Sequence, residues 1–532
     1  MIKRTLILFF LTISISAYSQ QIIPYSFYQY QKLNRSLYSL DTRFHTGLKP
    51  VIGDDSTLTA MLDSLLTIGT DTTARNWVLR KLFHQHLVEV KNKEFNFYLD
   101  YLPDLQIGRD REHGINTSLN TRGYQIGGNV GKKFSFYSSG FENQGRFANY
   151  LTQYIDKNNI IPGMVNDKND NVVPRPANKD WAYATAVLNY TANKYLSITL
   201  GQDKNFVGDG YRSMLLSDVA ATYPFLRLTG TLGNVKYMAL YAQFQDPLSP
   251  QFTQDSGFRK KWGAFHYLDW NVNNRLSIGF FDAIIWKGQD DLGKRGFDVT
   301  YLNPIIFLRT TEGMNNSPDN ALLGLTTKYK LAKNVTIYGQ FLADEFTAKE
   351  VTARNGYWAN KFAYQLGFKG FDAFKIQDLN YLVEFNTARP FTYSQRNSLL
   401  NYGHYVEALA HPMGANFREF LSIWNYQINR WSFSAQANVA KYGLNDGMNR
   451  GKDINESYNT RTGEYGYGTA DGLVTKFTYL DARVAYVFNP KYNLRLEVGG
   501  VFRQENNSAL NDKTTLFTIG LRSTFRNIYQ DF

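Results

Sequence analysis

From about residue 94 to the end of the chain, apolar and polar positions alternate in runs of roughly ten residues, the period of a strand that shows one face to each of two environments. In the clearest run Leu494, Leu496, Val498, Gly500 and Phe502 alternate with Asn493, Arg495, Glu497, Gly499 and Arg503. Phe517, Ile519, Leu521 and Phe525 repeat the pattern against Thr518, Gly520, Arg522 and Thr524, and Trp431, Phe433, Ala435, Ala437 and Val439 against Ser432, Ser434, Gln436 and Asn438. The links between runs alternate as well. Short turns fall at Gly131-Lys132-Lys133, Ala192-Asn193-Lys194, Leu232-Gly233-Asn234, Asn273-Asn274-Arg275, Ala332-Lys333-Asn334, Asn429-Arg430 and Asn489-Pro490-Lys491, with a less tidy one near 371–376. Long polar excursions separate them at 143–180, 203–223, 288–319, 389–416 and 443–474. This rhythm predicts an all-β transmembrane barrel of about 18 antiparallel strands over 94–532, with short turns facing the periplasm and long loops facing outside. The run at 475–488 loses phase midway, which predicts a bulge there.

Ahead of the first strand the period changes. Leu58, Met61, Leu62, Leu65 and Leu66, then Trp77, Leu79, Leu82, Phe83, His86 and Leu87, recur at helical spacing. Ser56 or Thr57 would cap one helix and Asp71 or Thr72 the next, and residues 27–40 read as a third. The expectation is a small α-helical segment over 20–93 that stays in the periplasm or plugs the lumen.

Residues 1–19 combine Lys3 and Arg4 with an apolar stretch and small residues at Ala17 and Ser19, the form of a cleavable secretory signal. The chain has 0 cysteines, which excludes a lipidated N-terminal Cys, disulfides and thiol metal sites. It is 43% hydrophobic and 16% aromatic, yet no later stretch approaches the ~18 consecutive apolar residues of a membrane helix. Strands must then satisfy the backbone between them, and the 37 Tyr and 38 Phe suit interfacial girdles. The net charge of +12 in an exported protein points to lipopolysaccharide phosphates or acidic polysaccharide, not to nucleic acid.

Three loop segments carry candidate chemistry. One runs from Gly201 to Asp218 through Gly208-Asp209-Gly210-Tyr211-Arg212-Ser213, a second from Tyr301 through Asn303-Pro304 to Arg309, and a third from His411-Pro412-Met413-Gly414 to Phe420. Sugars present hydroxyls and flat C–H faces, so a binding site needs planar polar groups beside aromatic platforms. Asp203, Asn205, Asp209, Tyr211 and Arg212 supply both, with Arg309 as a further candidate. The competing reading is that Gly208, Gly210 and the aspartates make tight turns that fold the loop into the lumen. For Arg309 and Glu312 the alternative is a luminal salt bridge, and for His411 and Asn416 a capping or packing role. His84 and His86 are two apart, so on a helix they would pack and not share a metal. Gly127-Gly128-Asn129-Val130-Gly131 has no helix after it, which excludes a phosphate loop. No nucleophile motif occurs, so no enzyme, no catalytic residue and no cofactor is expected.

In these three segments, and in His45-Thr46-Gly47-Leu48-Lys49-Pro50, the chain resembles the Wzi-type capsule assembly family of outer-membrane barrels, in its Bacteroidetes branch. The resemblance covers essentially the whole mature chain. It implies an eighteen-stranded barrel with a periplasmic helical domain, located in the outer membrane with its long loops on the cell surface, and a lectin-like role holding polysaccharide there. Within that branch it further implies participation in surface gliding. The implied partners are surface polysaccharide, outer-membrane lipid and lipopolysaccharide, and gliding or secretion machinery proteins. The rival from the residues alone is a porin or substrate-specific channel with an open lumen. A helical segment before the first strand argues against a plain porin.

Overall fold

A computed structural model of the chain describes residues 22, 24–51, 61, 66, 76–169, 172–249, 257–290, 293–307 and 319–532. The expected leader at 1–19, the helix caps at 56, 57, 71 and 72, and both Arg309 and Glu312 lie outside the described residues. Within them an 18-strand antiparallel barrel closes on itself. Its strands are β1 (Phe95–Asp110), β2 (Ile115–Val130), β3 (Phe134–Arg146), β4 (Lys179–Asn193), β5 (Leu196–Asp203) and β6 (Tyr223–Leu232). Next come β7 (Val235–Asp246), β8 (Arg259–Asn271), β9 (Leu276–Lys287), β10 (Asn320–Ala332), β11 (Val335–Glu345) and β12 (Lys361–Gly370). The last six are β13 (Leu379–Ala388), β14 (Phe417–Ile428), β15 (Trp431–Leu444), β16 (Leu473–Asn489), β17 (Leu494–Asn506) and β18 (Asn511–Arg522). Closure is the pairing of β18 with β1, from Leu516 opposite Asp110 to Leu521 opposite Leu105.

Outward positions are apolar and open. Ile107, Leu188, Leu366, Val439, Val498 and Phe517 are all more than half exposed. So much apolar surface would be a liability in water, and it is what a hydrocarbon phase requires. Between them, inward residues such as Asn438, Glu497 and Arg503 are buried. The expected bulge within 475–488 is absent: β16 pairs with β15 without interruption, and its one register shift against β17 falls at the end, between Val487 and Asn489. Phe525, expected on the apolar face, lies beyond the end of β18 at Arg522.

Every expected short turn lies at one end of the barrel. The opposite end carries the long excursions, together with two more over 247–258 and 346–360 and two tight links at 111–114 and 507–510.

Four segments enter the barrel. From the long-loop end come 204–222 and 389–416. Met214, Leu215 and Leu216 are fully enclosed by Phe244, Phe265, Phe281, Ile285, Leu322 and Leu342 on the inner wall and by Tyr393, Tyr402 and Leu409 of the second loop. This half of the interior is therefore an apolar core and not a water channel. A third segment, 24–51, holds α1 (Phe27–Gln31) and α2 (Asn34–Leu37) and reaches inner-wall groups: Lys330 donates to the carbonyls of Ser39 and Thr42, and Asn425 donates to Gln31. The fourth is the tail 523–532. The helical reading of 27–40 thus appears as two short helices.

Helix α3 (Trp77–Phe83) begins at Asn76, whose side chain accepts from the Leu79 amide. It docks beneath the barrel at the short-turn end, where Asn489 donates to the carbonyls of Lys81 and Gln85 and Tyr492 donates to that of Lys81. The helix stops before His86, which departs from the expected helix packing. His86 instead meets Asp100 at 2.6 Å and stacks on Tyr98.

The excursion after β9 behaves differently. Its described part, 293–307, lies against the outer face of β7–β9, where Tyr301 packs on Trp286 and Tyr241 donates to the Leu302 carbonyl. The Tyr301-Asn303-Pro304 segment is therefore a strap on the outer wall.

Candidate functional site

The loop over 204–222 is fixed by side chains projecting inward from the wall. Gln340 on β11 accepts from the Met214 amide and donates to the Val207 carbonyl, and Glu384 on β13 accepts from the Tyr211 amide at 2.7 Å. Two glycines permit this approach. A Cβ on Gly210 would sit 2.2 Å from Glu384 Oε1, and Gly208 has φ +143, with Gln340 Nε2 2.3 Å from where its Cβ would be.

Each sequence-selected residue on or beside this loop is buried and bound to protein. Asp203 accepts from Arg526 at 2.8 Å, and Asn205 accepts from Arg227 at 2.9 Å. Asp209 accepts from Tyr38 and Thr46 of the N-terminal segment. Burial works against its charge, yet Lys328, Lys369 and Lys49 hold it below its ordinary pKa. Tyr211 packs edge-on against Phe27. Arg212 donates to Asp531 at 2.6 Å and to Glu419 at 3.1 Å. Burial opposes its charge too, and Asp531 and Glu419 keep the guanidinium above its ordinary pKa. The arrangement brings these five residues together as the fastening of a folded-in loop.

Glu419, on β14, is the meeting point. One oxygen accepts from Arg212 and Asn438, the other from His411 at 2.7 Å and Asn386 at 2.9 Å. Through it the loops over 204–222 and 389–416 are tied to one inward carboxylate, and Arg212 links the tail to the same group by way of Asp531. Asn416 makes a second junction, donating to the carbonyls of Gly443, Arg450 and Asp471 while accepting from the Ala470 amide. His411 and Asn416 thus take packing roles.

Burial pushes His411 down to about 4 and His404 down to about 3. Both fold best uncharged, so their contribution is complete above the ordinary histidine value of ~6.5 and is lost as pH falls towards ~4. Amide exchange within 389–416 should accelerate over that window relative to a His404→Asn/His411→Gln variant. Equal acceleration in both proteins would refute the assignment.

A different kind of surface lies at the tips of the long-loop end. Residues 355–358 pair by backbone with 464–467: Trp358 N donates to Glu464 O, Gly466 N to Asn355 O and Tyr467 N to Gly356 O. Gly356 has φ +73, and its Cβ would meet Tyr467 N at 2.7 Å, so the close approach needs glycine. The pairing sets Tyr357 beside Tyr465 with ring centroids 5.5 Å apart, and Trp358 beside Tyr458 at 4.8 Å. Arg461 stacks on Trp358 at 3.8 Å and pairs with Glu464. Tyr465 is 55% exposed. The sequence placed 443–474 in a long loop but marked no excursion at 346–360, so half of the shelf went unrecognised. The doublet Tyr357-Trp358 and the run Glu464-Tyr465-Gly466-Tyr467 were the available signal. Among the described residues no group of three or more His, Asp or Glu could hold a metal ion.

Comparison with protein-family models and with curated proteins finds no match to this sequence. Among solved structures the chain is similar to Wzi, an outer membrane protein involved in group 1 capsule assembly in Escherichia coli and described as a carbohydrate-binding β-barrel. The match covers 94% of this chain and 99% of that one, with a TM-score of 0.56 and 12% identity. The fold is that of an outer-membrane β-barrel. The OprD protein of Pseudomonas aeruginosa also matches, over 80% of this chain and 94% of that one, at a TM-score of 0.41 and 11% identity.

Proposed function

We propose that this barrel is a non-enzymatic outer-membrane protein that holds surface polysaccharide at its long-loop end. The observation that carries the reading is the shelf of half-buried Tyr357 and exposed Tyr465, braced by Trp358 and rimmed by Glu464 and Arg461. Aromatic faces suit the C–H faces of pyranose rings, and the charged rim suits their hydroxyls. Asp203, Asn205, Asp209, Tyr211 and Arg212 would act indirectly, by fixing the loops that present the shelf. The likeness noted in the sequence, most closely to the gliding motility protein RemB, adds the narrower proposal that the polysaccharide serves surface gliding. Residues 20–93 would then brace the barrel from the periplasmic side.

Each stacking contact is worth ~1 kcal/mol, so Tyr357→Ala/Tyr465→Ala should weaken retention of surface polysaccharide by about thirtyfold. The assay is glycan-array binding by detergent-solubilised protein, with a tag inserted after Gly447 to check surface exposure on intact cells. Full glycan binding by a correctly assembled double variant would remove the shelf from the reading. A tag reachable at Asn274 and hidden at Gly447 would invert the orientation.

A further inference from the structure

Near the short-turn end the N-terminal segment leaves a cavity of about 180 Å³ between itself and the wall. Its lining includes Arg43, Lys49, Lys236 and Lys369, and among the described residues only one carboxylate, Asp209. Lys328 lies just behind, donating to Thr46 at 2.6 Å. Lys49, Lys328 and Lys369 are all buried around the one carboxylate of the lining, Asp209, with Glu384 and Asp218 further behind.

An ammonium has three N–H donors. Lys49 donates to the Gly208 carbonyl, and Lys369 to the Tyr38 hydroxyl and the Asp209 carbonyl at 2.6 Å, which leaves donors on both. The hydroxyl of Tyr25, a residue 8% exposed that also lines the cavity, has no hydrogen-bond partner among the described residues. Burial pushes Lys49 down to about 8, the response of an ammonium whose charge lacks full compensation. A buried excess of cations is unfavourable unless a counter-charge joins it.

We propose that this cavity binds a small oxyanion of the phosphate class, free or carried on a saccharide or lipid headgroup, held by Lys49, Lys369 and the Tyr25 hydroxyl. The bound anion would tie α1, the 43–49 segment and the 208–210 turn to the wall at β12. This site is independent of the saccharide shelf, so failure of the glycan assay leaves it standing.

The test is calorimetric titration of the full chain in detergent with inorganic phosphate, glucose 1-phosphate and a short-chain phosphatidic acid. At least one should bind saturably. Lys369→Met and Lys49→Met should each weaken that binding tenfold or more, and Tyr25→Phe, which removes only the hydroxyl, by a few fold. The pattern of preference among the three identifies the carrier. Assembly of each variant is checked by its heat-modifiable mobility on a gel. Absence of binding by all three at ~10 mM, or binding unchanged in Tyr25→Phe and Lys49→Met, would overturn the proposal, since the exposed basic surface of the barrel would then account for any heat.

Discussion

Arg212→Ala should loosen the interior by ~3–5 kcal/mol while leaving the barrel wall assembled, because it strands two buried carboxylates, Glu419 and Asp531, without their shared cation. Removing one partner of a buried ion group is far more damaging than replacing the whole group. The triple variant Arg212→Met/Glu419→Gln/Asp531→Asn should therefore recover most of the loss. Hydrogen exchange locates the effect: amides of 204–222 and of the tail should open together in Arg212→Ala, since Arg212 joins Asp531 of the tail to Glu419 of the wall, while those of β1–β5 stay protected. Unchanged exchange in the single variant would mean that Arg212 does not hold the loop. Any loss of polysaccharide binding in this variant would be read as a consequence of the loosened loops.

The barrel was legible because its alternation is imposed along every strand by two bulk phases. Outward Leu496, Val498 and Ile519 and inward Glu497 and Arg522 obey the period on their own. The fastening of 204–222 was half legible. Gly208 and Gly210 announced a loop that packs against something, but the partners Gln340, Glu384 and Glu419 lie 126 to 207 positions downstream of the groups they bind. No local pattern encodes that distance. His86 was misplaced for a related reason: helical periodicity continued to Leu87, yet the pull of Asp100 on β1 ends the helix at Phe83. The tail entering the lumen was invisible, because Asn527, Tyr529 and Asp531 have the composition of any polar end. The shelf was hidden by being split between two loops about a hundred positions apart.

Planar-bilayer recordings should show little ion conductance from the intact chain, although an empty barrel of about eighteen strands has a lumen wide enough for water. Removing 24–51 alone should leave that result nearly unchanged. The obstruction at the level of Met214–Leu216 is an apolar core sealed by Phe244, Phe265, Tyr393 and Tyr402, and water does not displace well-packed hydrocarbon. A cavity of about 290 Å³ along Arg483, Arg495 and Arg522 lies on the other side of the interior, bounded by the tail at Ile528, Gln530 and Asp531. Deleting 206–220 removes the central residues of that core together with Arg212 and Asp218, which the tail meets at Asp531, Asn527 and Tyr529. Large steady conductance is expected only then. Open pores from the intact chain would favour a channel, and a deletion of 24–51 that conducts as well as the loop deletion would make the N-terminal segment the true plug.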